Sequence, residues 1–176
     1  MTTENLQLPD AEQLYQRLLE QIRQHFALVA GQAAPDSLKL VGIYSGGAWL
    51  ADRLSADLGI SAPGYIDVSF YRDDYAAKGM PAQVKPSQIP FSVEAAQLIL
   101  VDDVLYTGRT TRAAINELFD YGRPARIWLA TLFDRGGREL PIAADFSAWQ
   151  QPLAKAHTVN LNQDPQGRLH FSVDSH

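Results

Sequence analysis

Apolar and polar positions along the chain follow two periodicities. Short apolar runs at residues 38–44, 98–101 and 127–133 are typical of strands that are buried on both faces of a parallel sheet. Apolar residues spaced three and four apart predict amphipathic helices over residues 10–30, with a cap near Asp10, and over residues 112–121. Strands that alternate with helices predict an α/β fold, with a doubly wound and mainly parallel sheet flanked by helices.

The remaining pattern extends this plan to the end of the chain. A third helix is predicted over residues 48–58, ended by Gly59, and residues 65–70 are strand-like. In the tail, apolar and polar residues alternate on both sides of a turn at residues 164–167, which predicts a closing β-hairpin. We find no internal sequence repeat and no domain boundary, so residues 1–176 are predicted to form a single domain.

Composition narrows the class of protein. With 176 residues, 46% hydrophobic and 20% charged, the chain suits a globular domain with a full core. It has no cysteine, which excludes disulfides and thiolate sites. A formal net charge of −5 argues against bulk affinity for nucleic acid. The first residues lack an export signal and no apolar run could span a bilayer, so we expect a cytoplasmic protein without membrane contact.

The most informative stretch follows the apolar run at residues 98–101. Two carboxylates, Asp102 and Asp103, come first, and a glycine-containing turn then precedes a helix. N–H groups of a first helical turn and the positive end of the helix dipole bind phosphate, and the turn adds hydroxyl donors. The carboxylates would repel that phosphate, so they should face vicinal hydroxyls instead. This arrangement predicts a sugar phosphate as ligand, with its phosphate on the turn Thr107-Gly108-Arg109-Thr110-Thr111.

Several other loops are candidates for the same site. Ser45-Gly46-Gly47 joins a strand to a helix, and it is either a second phosphate cradle or only a tight turn. Residues 71–90 are polar and rich in proline, which is typical of an active-site lid or binding loop. The carboxyl ends of parallel strands meet at one edge of a sheet. We therefore expect the loops at residues 44–47, 71–78, 102–111 and 133–138 to converge.

These motifs resemble a known family. Residues 101–110 resemble the loop that binds 5-phosphoribosyl 1-diphosphate in type I phosphoribosyltransferases. Together with residues 66–74 and 134–141, they resemble the PyrR family of pyrimidine-operon regulators that are also uracil phosphoribosyltransferases. The resemblance covers residues 38–146 and a similar tail. It implies the type I phosphoribosyltransferase fold and the formation of UMP and diphosphate from uracil and 5-phosphoribosyl 1-diphosphate.

The resemblance also implies roles for individual residues. Asp102 and Asp103 would hold the ribose hydroxyls beside the cationic ring, while Arg72 and Lys78 are candidates to meet the diphosphate, with solvated charge as the alternative for Lys78. Mg²⁺ would be bound mainly through the ligand's phosphates, with Asp102 and Asp103 as ligands directly or through water. The implied substrate-binding residues are Tyr44, Ser45, Gly46, Gly47, Tyr106, Thr107, Gly108, Arg109, Thr110, Thr111, Phe133, Asp134 and Arg135.

The choice of base depends on fewer residues. Some purine enzymes of this class carry an acidic residue where this chain has Tyr106, so its absence favours a pyrimidine. By their place at a strand end, Phe133, Asp134 and Arg135 are the expected wall of the base pocket. Arg138 and Glu139 either belong to that pocket or form a loop ion pair, and the sequence leaves both open.

Departures from the family leave two alternatives. One is an RNA-binding attenuator that senses UMP, and the other is a phosphoribosyltransferase for another base. Relatives often carry a basic residue at Gly46, and RNA-binding relatives tend to carry His at Gly137 and Arg at Ala144. RNA is therefore possible but disfavoured as a partner. A homodimer or higher oligomer is expected, and across a dimer a basic face could still form from Arg17, Arg23, His25 and Lys155.

Overall fold

A computed structural model describes residues 8–28, 30–69 and 85–175. Its centre is a five-stranded sheet in which all neighbouring strands pair in parallel, in the order β2-β1-β3-β4-β5. A separate antiparallel pair of strands, β6 and β7, closes the chain. The helices are α1 (Ala11–Phe26), α2 (Gly46–Leu58) and α3 (Arg109–Asp120). The strands are β1 (Leu38–Ile43), β2 (Gly64–Ile66), β3 (Gln97–Leu105), β4 (Arg126–Asp134), β5 (Phe146–Gln150), β6 (His157–Gln163) and β7 (Leu169–Ser175).

The core lies on both faces of the sheet. Helices α1 and α2 and the hairpin pack on one face, where Ile99 and Val101 of β3 are buried. Helix α3 packs on the other face, against Leu98 and Leu100. Successive residues of a strand point to opposite faces, so a continuous apolar run fills both layers. The predicted α/β architecture with helices on both faces and a C-terminal hairpin is confirmed.

The helix ends follow local chemistry. The Asp10 carboxylate caps α1 by accepting a hydrogen bond from the Gln13 N–H at 3.0 Å, as predicted. Helix α1 stops at Phe26, earlier than the pattern indicated, because Ala27 adopts a left-handed conformation. Helix α3 begins at Arg109 rather than Arg112, directly after Gly108 with φ of 93°. The described residues include no helix that is long and apolar enough to cross a membrane.

Three strands differ from the predicted pattern. Strand β2 ends at Ile66, because the Asp67 carboxylate binds the N–H groups of Ser69 and Lys85 in place of a ladder. Strand β3 continues to Leu105, so both aspartates lie inside the strand and not after it. Strand β5 was not predicted. It is short and only alternately buried, and an Asp145 side-chain bond to the Leu129 N–H at 2.8 Å leads into its pairing with β4.

Glu12 connects α1 to α2 and to the hairpin. Its carboxylate accepts hydrogen bonds from Arg53 at 2.9 and 2.7 Å and from the Leu169 N–H at 2.7 Å. The hydrogen bonds from Arg53 hold the pKa of Glu12 below its ordinary value, against the opposite effect of partial burial. This cluster fastens the C-terminal hairpin to the body of the domain, on the same face as α1 and α2.

Candidate active site

Three of the four predicted loops converge at the carboxyl edge of the sheet. A Cβ atom on Gly46 would lie 2.5 Å from an Asp103 carboxylate oxygen, and one on Gly137 would lie 2.5 Å from the Tyr106 ring. The loops at residues 44–47, 102–111 and 133–138 are therefore in direct contact. Residues 71–78, with Arg72 and Lys78, lie outside the described residues, so their predicted roles stay predictions.

The two aspartates lie near the end of β3 and face opposite ways. Asp103 points to the α2 side of the sheet, where its carboxylate lies against Gly46. Asp102, the preceding residue of the strand, points to the α3 side and is 6% exposed. An Asp102 oxygen accepts a hydrogen bond from the Asp103 N–H at 2.9 Å. The Asp103 carboxylate therefore lies at the first turn of α2, while Asp102 lies on the face of the sheet that α3 covers.

The first turn of α3 holds the predicted phosphate cradle. Gly108 has a positive φ, which glycine adopts without a steric penalty. The Arg109 N–H donates to the Thr107 hydroxyl at 3.2 Å, and Thr110 and Thr111 fall within the first turn. The Thr111 hydroxyl is buried and has no hydrogen-bond partner among the described residues. An unpaired buried hydroxyl costs free energy unless a ligand or water binds it.

The first turn of α2 is built differently. The Tyr44–Ser45 peptide bond is cis, and the Ser45 side chain makes no capping hydrogen bond. A Cβ atom on Gly47 would lie 2.3 Å from the carbonyl oxygen of Val101, so only glycine allows α2 to start this close to β3. The Tyr44 ring stacks on Tyr65, with their centroids 5.4 Å apart. This turn can offer an anion backbone N–H groups and the Ser45 hydroxyl.

The loop after β4 packs against Tyr106. The Arg135 guanidinium lies 4.0 Å from the centroid of the Tyr106 ring and donates to the carbonyl of Ala154 at 3.0 Å. Phe133 is fully buried beside Phe171. Asp134 accepts from the Gly136 N–H at 3.0 Å and pairs with Arg138. Of the predicted base-pocket residues, Arg135 thus contacts Tyr106 directly and Asp134 is connected to it through Arg138, whereas Phe133 packs against Phe171.

Arg138 and Glu139 do not pair with each other. Arg138 binds the Asp134 carboxylate, and Glu139 pairs with Arg109 at 2.9 Å in a largely exposed position. Arg138 also donates to the carbonyl of Tyr106 at 2.6 Å and to that of Ile142 at 2.9 Å. The sequence left its role open, and only the position of its charge in a glycine-rich loop marked it as a candidate.

The acidic residues at this edge of the sheet could bind a magnesium ion together with the phosphates of a ligand. No group of three His, Asp or Glu side chains in the described part of the chain could hold a metal ion alone. Asp102 and Asp103 supply hard oxygen donors beside two candidate anion cradles. Mg²⁺ keeps several water ligands and is commonly bound by one or two carboxylates together with phosphates. The donor set therefore suits an ion that arrives with a diphosphate ligand.

Comparison with known proteins shows the family of the chain. A family model described as phosphoribosyl transferase domain matches residues 2–159. Bifunctional protein PyrR of Ralstonia nicotianae is 52% identical over 158 residues, covering 90% of this chain and 88% of that protein. The chain belongs to the phosphoribosyltransferase family, within its PyrR branch. Bifunctional protein PyrR of Pseudomonas aeruginosa is 44% identical over 157 residues, covering 89% of this chain and 90% of the relative.

Solved structures show the same fold. The hypoxanthine-guanine phosphoribosyltransferase of Bacillus anthracis matches with a TM-score of 0.58 and 20% identity, covering 82% of this chain and 83% of its own. The hypoxanthine phosphoribosyltransferase of Trypanosoma cruzi matches with a TM-score of 0.60 and 23% identity, covering 82% and 80%. These likenesses confirm the predicted fold class.

Proposed function

We propose that this chain is a uracil phosphoribosyltransferase that forms UMP and diphosphate from uracil and 5-phosphoribosyl 1-diphosphate. The observation that carries the proposal is the position of Asp102 and Asp103 near the end of β3, with the Asp103 carboxylate against the first turn of α2 and the turn into α3 four residues further along the chain. That arrangement matches a ligand with a diol between two phosphate groups. The PyrR relatives at 44–52% identity support the same activity.

In the proposed reaction the anomeric carbon of the ribose bonds to N1 of uracil while its C–O bond to the diphosphate breaks, and the N1 proton leaves to water or to the departing diphosphate. Positive charge develops on the sugar ring, and the Asp102 and Asp103 carboxylates stabilise it while they hold the ribose hydroxyls. Backbone N–H groups at residues 45–47 bind the departing diphosphate, to which Arg72 adds positive charge. Magnesium, when bound, neutralises further charge on the diphosphate. The 5-phosphate rests on the cradle formed by Thr107, Gly108, Arg109, Thr110 and Thr111.

The uracil ring is placed beside Tyr106, where the loop after β4 packs. Arg135 backs the Tyr106 ring and fixes its plane. Two residues anchor this loop. Phe133 is buried in the core, and Asp134 pairs with Arg138. Tyr106 carries no negative charge, so a purine ring nitrogen would find no carboxylate here.

The direct test supplies 5-phosphoribosyl 1-diphosphate and Mg²⁺ with uracil, cytosine, orotate, hypoxanthine or guanine in turn, and measures diphosphate release. We expect release with uracil alone, and loss of that release in Asp103→Asn. Release of diphosphate with another base would show that this base, and not uracil, is the substrate. No release with any base, from folded protein that binds the phosphoribosyl substrate, would overturn the enzyme proposal.

A second function has one supporting observation. The relatives are named bifunctional, which fits an RNA-binding regulator that senses UMP in the same site. Arg17, Arg23 and His25 of α1 would supply the basic face in a homodimer, although Arg23 also binds the carbonyl of Asp57. We expect weak RNA binding that does not depend on sequence. A tight complex with leader RNA of its own pyrimidine operon, strengthened by UMP, would contradict this.

A further inference from the structure

The loop after β4 is hydrogen-bonded to the backbone that leads into the phosphate cradle. We call residues 135–140 the brace. The Arg135 N–H donates to the carbonyl of Leu105 at 3.0 Å, and the Glu139 and Leu140 N–H groups donate to that of Thr107 at 3.0 and 3.1 Å. Between them, the Arg138 side chain donates to the carbonyl of Tyr106 at 2.6 Å. Three consecutive carbonyls are thus bound from one loop.

Binding these carbonyls also orients the N–H groups of the cradle. A trans peptide unit is planar, and its N–H points opposite to its C=O. When the carbonyls of Leu105, Tyr106 and Thr107 are bound by the brace, the following N–H groups point away from it. Successive N–H groups turned to one side form a concavity that binds anions. The brace therefore preorganises the turn before a phosphate arrives.

Arg138 differs from the other contacts because it bonds to the cradle through a side chain. Its guanidinium joins the Tyr106 carbonyl, the Ile142 carbonyl and the Asp134 carboxylate. The Arg138 side chain is 24% exposed and that of Asp134 is 11% exposed, so water competes weakly for these bonds. Charge-assisted bonds of this kind are stronger than neutral ones, and a planar guanidinium holds its partners in a fixed geometry.

We propose that Arg138 is a positioning residue that holds the Tyr106 carbonyl and thereby shapes the phosphate cradle for a phosphoribosyl ligand. It touches the cradle from behind and does not contact the reacting atoms. Because it also binds Asp134, it links the cradle to the loop that the proposed function assigns to the base. The inference rests on the proposed function only for the nature of the ligand, a sugar that carries a phosphate.

The test measures the affinity of ribose 5-phosphate, and separately of 5-phosphoribosyl 1-diphosphate with Mg²⁺, by titration calorimetry. Arg138→Met keeps the length of the side chain and removes every donor. We expect both dissociation constants to rise about tenfold, the equivalent of one lost charge-assisted bond. Arg138→Lys keeps the charge but has a single nitrogen, which cannot reach all three partners that the spread guanidinium nitrogens bind, so we expect a smaller rise than in Arg138→Met.

Glu139→Gln is the matched control on the same brace. It removes the exposed ion pair with Arg109 and leaves the backbone bonds in place, so we expect a change of less than about threefold. Hydrogen exchange at residues 106–108 should become faster in Arg138→Met and stay unchanged in Glu139→Gln. If Arg138→Met only lowers the melting temperature while both dissociation constants stay within twofold of wild type, Arg138 is merely structural and the proposal fails.

The same measurements separate this proposal from the enzymatic one. Ribose 5-phosphate binds without any base, so its affinity reports on the cradle even if uracil is not the substrate. In the uracil reaction, a positioning role predicts a higher KM for the phosphoribosyl substrate and a smaller effect on kcat. Unchanged affinity for ribose 5-phosphate in both Arg138 variants would overturn the positioning role, whether or not uracil is turned over.

Discussion

The first turns of α2 and α3 start at the same edge of the sheet, but they require glycine for different structural reasons. The α2 turn uses glycine for close approach, since Gly46 and Gly47 lie against Asp103 and the Val101 backbone. The α3 turn uses Gly108 for its positive φ and surrounds it with threonines. The α3 turn is also held from outside by the brace, through bonds to three carbonyls. Two similar glycine turns can therefore carry different constraints and different donors.

The largest effect should come from the carboxylates between the two turns. We expect Asp103→Asn and Asp102→Asn to lower kcat/KM by about a hundredfold to a thousandfold, or about 2.7–4 kcal/mol of transition-state stabilisation. Asparagine keeps nearly the same volume and an oxygen that can accept the bond from the Asp103 N–H, so the melting temperature should change little. Steady-state kinetics with uracil tests this. Near-normal turnover in both variants would show that the turns do not share a ligand.

Alanine substitutions at the two turns should distinguish a glycine required for close backbone approach, Gly47, from a glycine required for a positive φ, Gly108. Gly47→Ala places a Cβ against backbone atoms that cannot move aside, so we expect a loss of about 3 kcal/mol or more in the free energy of unfolding. Gly108→Ala meets only side-chain atoms, of Ile142 at 3.0 Å and of Leu140 at 3.5 Å, and its cost of about 1–2 kcal/mol reflects the left-handed conformation. Denaturant unfolding measures both. Equal losses would contradict the distinction between the turns.

Two threonine substitutions should distinguish a hydroxyl that binds the ligand from a hydroxyl that stabilises the fold. Thr111→Val removes a buried hydroxyl with no partner among the described residues, so we expect unchanged or higher stability without ligand and a loss of about 1 kcal/mol in phosphate affinity. Thr131→Val is the control, because that hydroxyl donates toward carbonyls of Asp103 and Phe133 at 3.2 and 3.3 Å. It should lower stability instead. The reverse pattern would remove Thr111 from the cradle.

Glu12 lies away from both turns, so its substitution should change stability without changing phosphate affinity. Its pKa is lowered in the folded state, so the stability from its bonds to Arg53 and Leu169 is present above about pH 4.5 and is lost as the pH falls further. Glu12→Gln should lower the free energy of unfolding by about 1 kcal/mol at pH 7, with a smaller difference at pH 3. Urea unfolding at both pH values measures this. Phosphate affinity should not change.

Much of the fold could be predicted from local patterns. The apolar runs of β1, β3 and β4 predicted buried strands because a parallel strand packs on both faces, and Asp10 and Gly59 marked helix ends by their capping chemistry. Strand β5 was missed because an edge strand that is only alternately buried has no continuous apolar run. The extension of β3 through Asp102 and Asp103 was missed because carboxylates normally end a buried strand, whereas here Asp103 lies against Gly46 at the start of α2.

Sequence alone determined which residue types stand at the carboxyl edge of the sheet, since chain order in a parallel sheet decides which loops meet there. It could not decide that the Arg138 side chain binds the Tyr106 carbonyl, because these residues are 32 positions apart and their contact depends on the packed geometry. Arg138 could equally have paired with Glu139 by its spacing. Only the tertiary structure placed the Arg138 guanidinium between Asp134 and the Tyr106 carbonyl, where burial favours bonds that satisfy both.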